Sequence, residues 1–198
     1  MTNRPLILFL SLLIICAVLP VLGSQSGVNE YFTRSGKSVS VTESHPNGQS
    51  LSNILVESKR FAHNFSENFE NHDPIQKVLV GDLDENGFDE FYIVTVSSGS
   101  GSYGDVLAFA SNKDKSLSLI HFPDIQEGDE RFTGYLGHDT FEFADSVLVR
   151  TFPIYLPSDT NNKPTGGTKA IIYKLYPREA GWQLRIDNAL ELENRSEN

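Results

Sequence analysis

The chain has one cysteine, Cys16, one methionine and one tryptophan among 198 residues. A lone thiol excludes an internal disulfide and a cysteine-ligated metal cluster. Basic residues are also scarce: 16 Lys and Arg stand against 26 Asp and Glu, for a formal net charge of -10. A body of that sign repels phosphate backbones, so nucleic acid is not expected as a partner. It attracts basic partners, mainly through encounter rate and specificity. The five histidines, at 45, 63, 72, 121 and 138, form neither H-x-x-x-H nor H-E-x-x-H, and no G-x-S-x-G elbow is present. His138 and Asp139 are adjacent, and neighbours on a strand face opposite ways, so they make no dyad by themselves. The sequence therefore reads as a binding protein rather than an enzyme.

Long apolar runs are missing except at the N-terminus. Arg4 and the α-amine are followed by the uncharged stretch Pro5 to Val18, then Pro20 and Val21-Leu22-Gly23. This is the order of a secretory signal, expected to span 1–23 and to be cleaved near Gly23. Two alternatives are an uncleaved membrane anchor, for which the stretch sits at the lower edge of a spanning length, and a lipoprotein, for which Ile15 is too large before Cys16. Cleavage would remove the only cysteine and leave no membrane segment. A compartment outside the cytoplasm fits, and the periplasm is the natural one for a chain without disulfides.

What the chain does contain is a core's worth of large apolar side chains, 39% hydrophobic residues with 13 Phe and 7 Tyr. That suffices for one domain. Residues 24–75 read as a lead-in rich in Ser, Gly, Thr and Asn, with a turn at Pro46-Asn47-Gly48 and a strand near Ser38–Thr42. Within it, Leu51, Ile54, Leu55, Phe61, Phe65 and Phe69 can be placed on one helical face over 51–72, with Ser52 as cap. From Gln76 to about residue 190 the pattern changes to period two and short apolar runs. Lys77–Gly81, Phe91–Ser97, Val106–Ala110, Leu117–Phe122, Thr140–Phe143, Val147–Ile154, Lys169–Tyr176 and Trp182–Ile186 read as strands separated by turn clusters. The expectation is an all-β, antiparallel, β-sandwich-like single domain with at most one or two short helices.

Two segments carry the functional signal. In Val80–Glu90, oxygen-bearing side chains fall at Asp82, Asp84 and Asn86, with Gly87 next and Glu90 at the ninth loop position. That is the front half of a calcium loop, since a hard cation wants several oxygens and the glycine allows a sharp turn. The twelfth position, where an EF-hand places a bidentate Glu, is Ile93, so an EF-hand is excluded. Similar loops occur between strands of calcium-binding β-propellers. The competing reading is a tight turn in which Asp and Asn bond their own backbone. Asp82, Asp84, Asn86 and Glu90 are thus candidate ligands of a structural calcium ion.

The other segment is Ser97-Ser98-Gly99-Ser100-Gly101-Ser102-Tyr103-Gly104. It contains G-x-G-x-x-G at Gly99, Gly101 and Gly104, but a strand follows instead of the helix that a dinucleotide site needs. The loop reads instead as a presentation device. Its glycines let the backbone approach another surface, its serines offer small hydroxyls, and Tyr103 can anchor in a pocket. The bland alternative is a flexible hairpin connection.

The stretch Gly81-Asp82-Leu83-Asp84, Gly87-Phe88-Asp89-Glu90, Tyr92-Ile93-Val94-Thr95 and Ser100-Gly101-Ser102-Tyr103 resembles the periplasmic inhibitors of invertebrate-type lysozyme. Gly137-His138-Asp139-Thr140-Phe141, Leu148–Pro153 and Pro164–Thr168 add to it, so that it spans roughly Gln76 to Ile186. The resemblance implies an exported β-sandwich-like inhibitor whose Ser-Gly-x-Tyr loop enters the lysozyme cleft. It makes Ser100 and Tyr103 the inhibitory pair and Gly101 the residue that shapes the turn, with Ser98, Gly99, Ser102 and Gly104 supporting them. Related inhibitors of other lysozyme classes share such a loop. Asp105, Asp114 and Asp129-Glu130 are candidates for an acidic rim. A calcium-stabilised adhesion module or a cell-wall glycan-binding module remains the alternative, and monomer and homodimer both stay open.

Overall fold

The computed structural model describes residues 28–192, with the Asn47 side chain left aside. The expected signal at 1–23 lies outside the described residues. Alternating apolar and polar residues fold into twelve strands. β1 (Val28–Phe32), β2 (Ser38–Ser44), β3 (Ser52–Lys59) and β4 (Ser66–His72) form a four-stranded antiparallel sheet in chain order. β5 (Ile75–Gly81), β6 (Glu90–Val96), β7 (Gly104–Ser111), β8 (Leu117–His121), β9 (Thr140–Ala144), β10 (Val147–Pro153), β11 (Thr168–Arg178) and β12 (Gly181–Leu192) form the second sheet. Its order is β5-β6-β7-β8-β12-β11-β10-β9. The eight strands read from the period-two pattern are all there. Helical structure among the described residues amounts to two short 3-10 turns, Pro46–Gly48 and Glu130–Phe132.

The large sheet is mixed rather than purely antiparallel, because β12 returns beside β8 in the same direction and places Trp182 opposite Ile120. This pairing curls the sheet until its two edge strands meet. The Phe143 ring on β9 lies so close to Gly81 on β5 that a Cβ there would come within 2.7 Å of it. A sheet curled this far encloses a core of its own. That core holds Tyr92, Val94, Ala108, Phe141, Leu148, Phe152, Tyr173 and Leu184.

The four-stranded sheet covers the outside of β5–β8. Val39, Val41, Ile54 and Val56 pack against Phe91, Ile93 and Phe109. Strand β6 is therefore buried on both faces, which explains its uninterrupted Phe-Tyr-Ile-Val run. Phe109 receives the edges of Phe65 and Phe69 at centroid distances of 5.3 and 5.8 Å. Burying Phe109, 0% exposed, contributes roughly 1.5–3 kcal/mol.

Two expectations for the N-terminal part are corrected. The helix over 51–72 is the β3–β4 hairpin, and the loose lead-in is largely a sheet. Ser52, Ile54, Val56 and Ser58 are the buried positions of β3, a period of two. The four-residue spacing of Phe61, Phe65 and Phe69 imitated a helical face, but Phe61 lies in the turn between β3 and β4, Phe65 just before β4, and only Phe69 within a strand. Burial between two sheets selected the strand.

Candidate functional site

The Ser97–Gly104 loop joins β6 to β7 and is held on all sides. Ser97 and Tyr103 close its base: the Ser97 N–H donates to the Tyr103 carbonyl at 2.8 Å, and the Ser97 Oγ accepts from the Tyr103 N–H at 2.8 Å. At the tip, the Ser102 N–H donates to the Gly99 carbonyl at 3.1 Å. Ser102 takes a positive φ of 46°, a conformation that costs a non-glycine residue and is kept where surroundings enforce it.

Those surroundings are three neighbouring segments. From the turn before β9, the His138 N–H donates to the Gly101 carbonyl at 2.6 Å and to the Ser102 carbonyl at 3.1 Å. From the loop after β10, Asn161 Nδ2 donates to the Ser100 carbonyl at 2.8 Å. From the four-stranded sheet's β2–β3 connection, the Ser50 carbonyl accepts from Ser98 Oγ at 3.3 Å. The bracing segments also support each other: the His138 ring stacks on Tyr155, and the Tyr155 hydroxyl donates to the Asn161 carbonyl at 2.8 Å. Asp159 shapes the outer brace by accepting from the N–H groups of Leu156 and Thr165 and from the Thr165 hydroxyl.

Beneath the loop is a buried ion pair that sequence reasoning missed. Arg150 on β10 donates to both oxygens of Asp139, Nε to Oδ1 at 2.6 Å and Nη2 to Oδ2 at 2.9 Å. The same groups grip the start of β7. The Gly104 N–H donates to Asp139 Oδ2 at 2.7 Å, and Arg150 Nη2 donates to the Gly104 carbonyl at 3.2 Å. Tyr135 completes the network by donating to Asp139 Oδ2 at 2.6 Å and accepting from Arg150 Nη2. The rings of Phe132, Tyr135 and Phe141 surround the guanidinium. Burial pulls the Arg150 pKa down, but the Asp139 carboxylate outweighs it and holds the guanidinium above its ordinary range. Burial pushes the Tyr135 phenol up, so the phenol stays protonated and its donation to Asp139 persists. The signal in the sequence was Arg150 itself, set between Leu148 and Phe152 at an inward position of an alternating strand.

The loop thus spends its backbone inward and turns its side chains out. Among the described residues, none bonds the hydroxyls of Ser100, Ser102 or Tyr103, and Tyr103 is 46% exposed. The Tyr103 ring rests on the edge of Tyr135 at 5.7 Å and against Gly101, where a Cβ would come within 2.4 Å of it. The structure brings together Ser98, Gly99, Ser100, Gly101, Ser102, Tyr103 and Gly104 as one rigid projection with the exposed Leu136 and Leu156 on its bracing segments. Of the acidic rim candidates, Asp105 is exposed beside the loop. Asp114 is at the far end of β7, bonded to Ser111, roughly 25 Å away at ~3.4 Å per strand residue. Asp129 pairs with Arg131.

The β5–β6 turn forms a separate acidic cluster. One oxygen each of Asp82, Asp84 and Glu90 lies within 4.8 Å of the others. Asn86 stands differently from the expected ligand: its Oδ1 accepts from the Phe88 N–H and its Nδ2 donates to Asp84 Oδ2. Arg34, from the turn after β1, donates to Asp82 Oδ2 at 2.7 Å and to both oxygens of Asp89.

No family model, curated protein or solved structure matches the chain.

Proposed function

We propose that this chain is a protein inhibitor of lysozyme, of the invertebrate type first, that inserts the Ser98–Gly104 loop into the enzyme's active-site cleft. The observation that carries the reading is the division of labour in the loop. Its backbone is fixed by the fold, while the hydroxyls of Ser100 and Tyr103 are exposed and unbonded. A preorganised loop pays little ordering entropy on binding. Its narrow tip fits a sugar-binding groove, and the two hydroxyls suit the carboxylates that otherwise meet sugar hydroxyls. Inhibition is then steric occlusion of the cleft together with hydrogen bonds to the catalytic acid.

One loop cannot supply the roughly 800 Å² per partner of a specific interface. The bracing segments extend the surface with Leu136 and Leu156, apolar side chains exposed on either side of the loop. The net charge of -10 suits a basic enzyme. In this reading the chain is exported by the segment 1–23, acts in the periplasm, performs no catalysis, and protects a bacterial wall against host lysozyme.

The test is clearing of peptidoglycan suspensions by invertebrate-, chicken- and goose-type lysozymes with and without the protein. Selective loss of clearing by the invertebrate enzyme is the expected result. Loss with another class moves the target and keeps the mechanism. Undiminished clearing by all three at large molar excess ends the inhibitor reading.

A further inference from the structure

Glu90 opens β6 with a side chain 0% exposed, and its two oxygens fare differently. Oε2 accepts from the Leu83 N–H at 2.8 Å. Oε1 is buried and has no hydrogen-bond partner among the described residues. A buried carboxylate oxygen without a partner is costly and calls for an explanation. Its neighbours deepen the cost, since Asp82 and Asp84 bring further negative charge within 4.8 Å.

Arg34 does not resolve this. It serves Asp89 and Asp82, and among the described residues no cationic side chain pairs with Asp84 or Glu90. A bound cation would take the orphan oxygen and balance the charge that the three carboxylates bring together.

We propose that Asp82, Asp84 and Glu90 bind a hard divalent cation of the calcium kind, which locks the β5–β6 turn against the turn after β1. The donor set consists of carboxylate oxygens, with no imidazole or thiolate, which selects a hard ion over zinc or copper. Gly87, at φ +90°, supplies the sharp turn that gathers the ligands. Asp82 belongs to both systems, since its Oδ2 accepts from Arg34 and the Gly87 N–H while its Oδ1 accepts from the Asn86 N–H and keeps a lone pair for the ion. The ion therefore fastens the four-stranded sheet to the eight-stranded one. This role is structural and independent of the lysozyme reading: a chain that binds calcium and spares every lysozyme upholds it.

The test uses the full chain stripped with a chelator, titrated calorimetrically with calcium chloride or magnesium chloride and melted with calcium or with chelator. A saturable one-to-one heat with calcium is expected, with a melting temperature that rises by about 5–10 °C at a hundredfold excess over Kd. Asp84→Asn, in the partly exposed turn, folds and should bind at least ~10-fold more weakly, as should Glu90→Gln. Asp105→Asn, acidic but beside the other loop, should bind as the parent does. An unchanged melting temperature and no saturable heat at about 10 mM calcium, above the weakest extracellular calcium modules, overturns the proposal. Equal binding by Asp84→Asn and the parent overturns it too.

Discussion

The Asp139 carboxylate and the Arg150 guanidinium meet through two hydrogen bonds, 2.6 and 2.9 Å long, in a pair left 0% and 2% exposed. The pair also grips both backbone groups of Gly104, so the base of the exposed loop is nailed to the inside of the curled sheet. Taking away one member strands the other charge in an apolar surround. Arg150→Met should cost about 3–5 kcal/mol in urea unfolding, whereas Arg150→Met combined with Asp139→Leu should recover much of that loss. A single substitution costing under about 1 kcal/mol would mean that water reaches the site and that the pair does not hold the loop.

The loop's outward hydroxyls should behave in the opposite way. Ser100→Ala removes a hydroxyl that no described residue bonds, so melting should stay within about 0.5 kcal/mol of the parent, whereas Tyr103→Ala also gives up the ring contact with Tyr135 and should cost about 0.5–1.5 kcal/mol. Each should weaken lysozyme inhibition by ~2 kcal/mol, close to 30-fold, as truncated hot spots do. Full inhibition by both variants would take this loop out of the mechanism.

The strands from β5 onward were legible because a period of two, or in β6 a short uninterrupted apolar run, is too short and too closely bounded by turns for a helix. The stretch 51–72 was not, since Phe61, Phe65 and Phe69 repeat every four residues as a helical face would, although they come from the turn between β3 and β4 and from β4 itself; only the second sheet, a tertiary partner, decides. The loop could be found from composition, yet its rigidity could not. His138, Asn161 and Ser50 reach it from 37, 61 and 48 residues away along the chain, and such contacts leave no local pattern. Asp139 likewise looked like the neighbour of a histidine, and its true partner is found across a hairpin at Arg150. Glu90, placed correctly as the ninth residue of an acidic turn, gave no hint that one of its oxygens would be buried without a partner.

Asp159 gives a pH handle on the outer brace. The Thr165 hydroxyl and the N–H groups of Leu156 and Thr165 hold its carboxyl below the usual range. A group whose folded pKa is depressed contributes stability that is full above its ordinary value, about 3.9, and that fades as pH falls through the lower folded value. The 156–165 loop should therefore loosen below about pH 4 and release Asn161 from the Ser100 carbonyl. Amide exchange at Leu156 and Thr165, followed by NMR, should accelerate there in the parent. In Asp159→Asn it should be fast already at neutral pH; equal protection in both would show that the carboxylate does not organise the loop.

Gly101 and Gly137 allow the shape of the loop to be separated from the stability of the fold. A Cβ on Gly137 would sit 2.0 Å from the Gly101 carbonyl oxygen, at a φ of +88°. Backbone atoms cannot give way cheaply and the dihedral disfavours any side chain, so Gly137→Ala should lose roughly 1–3 kcal/mol or more in a denaturant melt. A Cβ on Gly101 instead meets the Tyr103 ring at 2.4 Å, and a ring can turn about its own bonds. Gly101→Ala should then melt within about 1 kcal/mol of the parent while its Tyr103 swings off Tyr135 and inhibition falls about 10-fold or more. Such a variant, folded but weak, would show that the partner reads the direction of the tyrosine and not merely its presence. Full inhibition by Gly101→Ala would show that the tyrosine is repositioned by the partner on binding, and would remove preorganisation from the account of how this loop works.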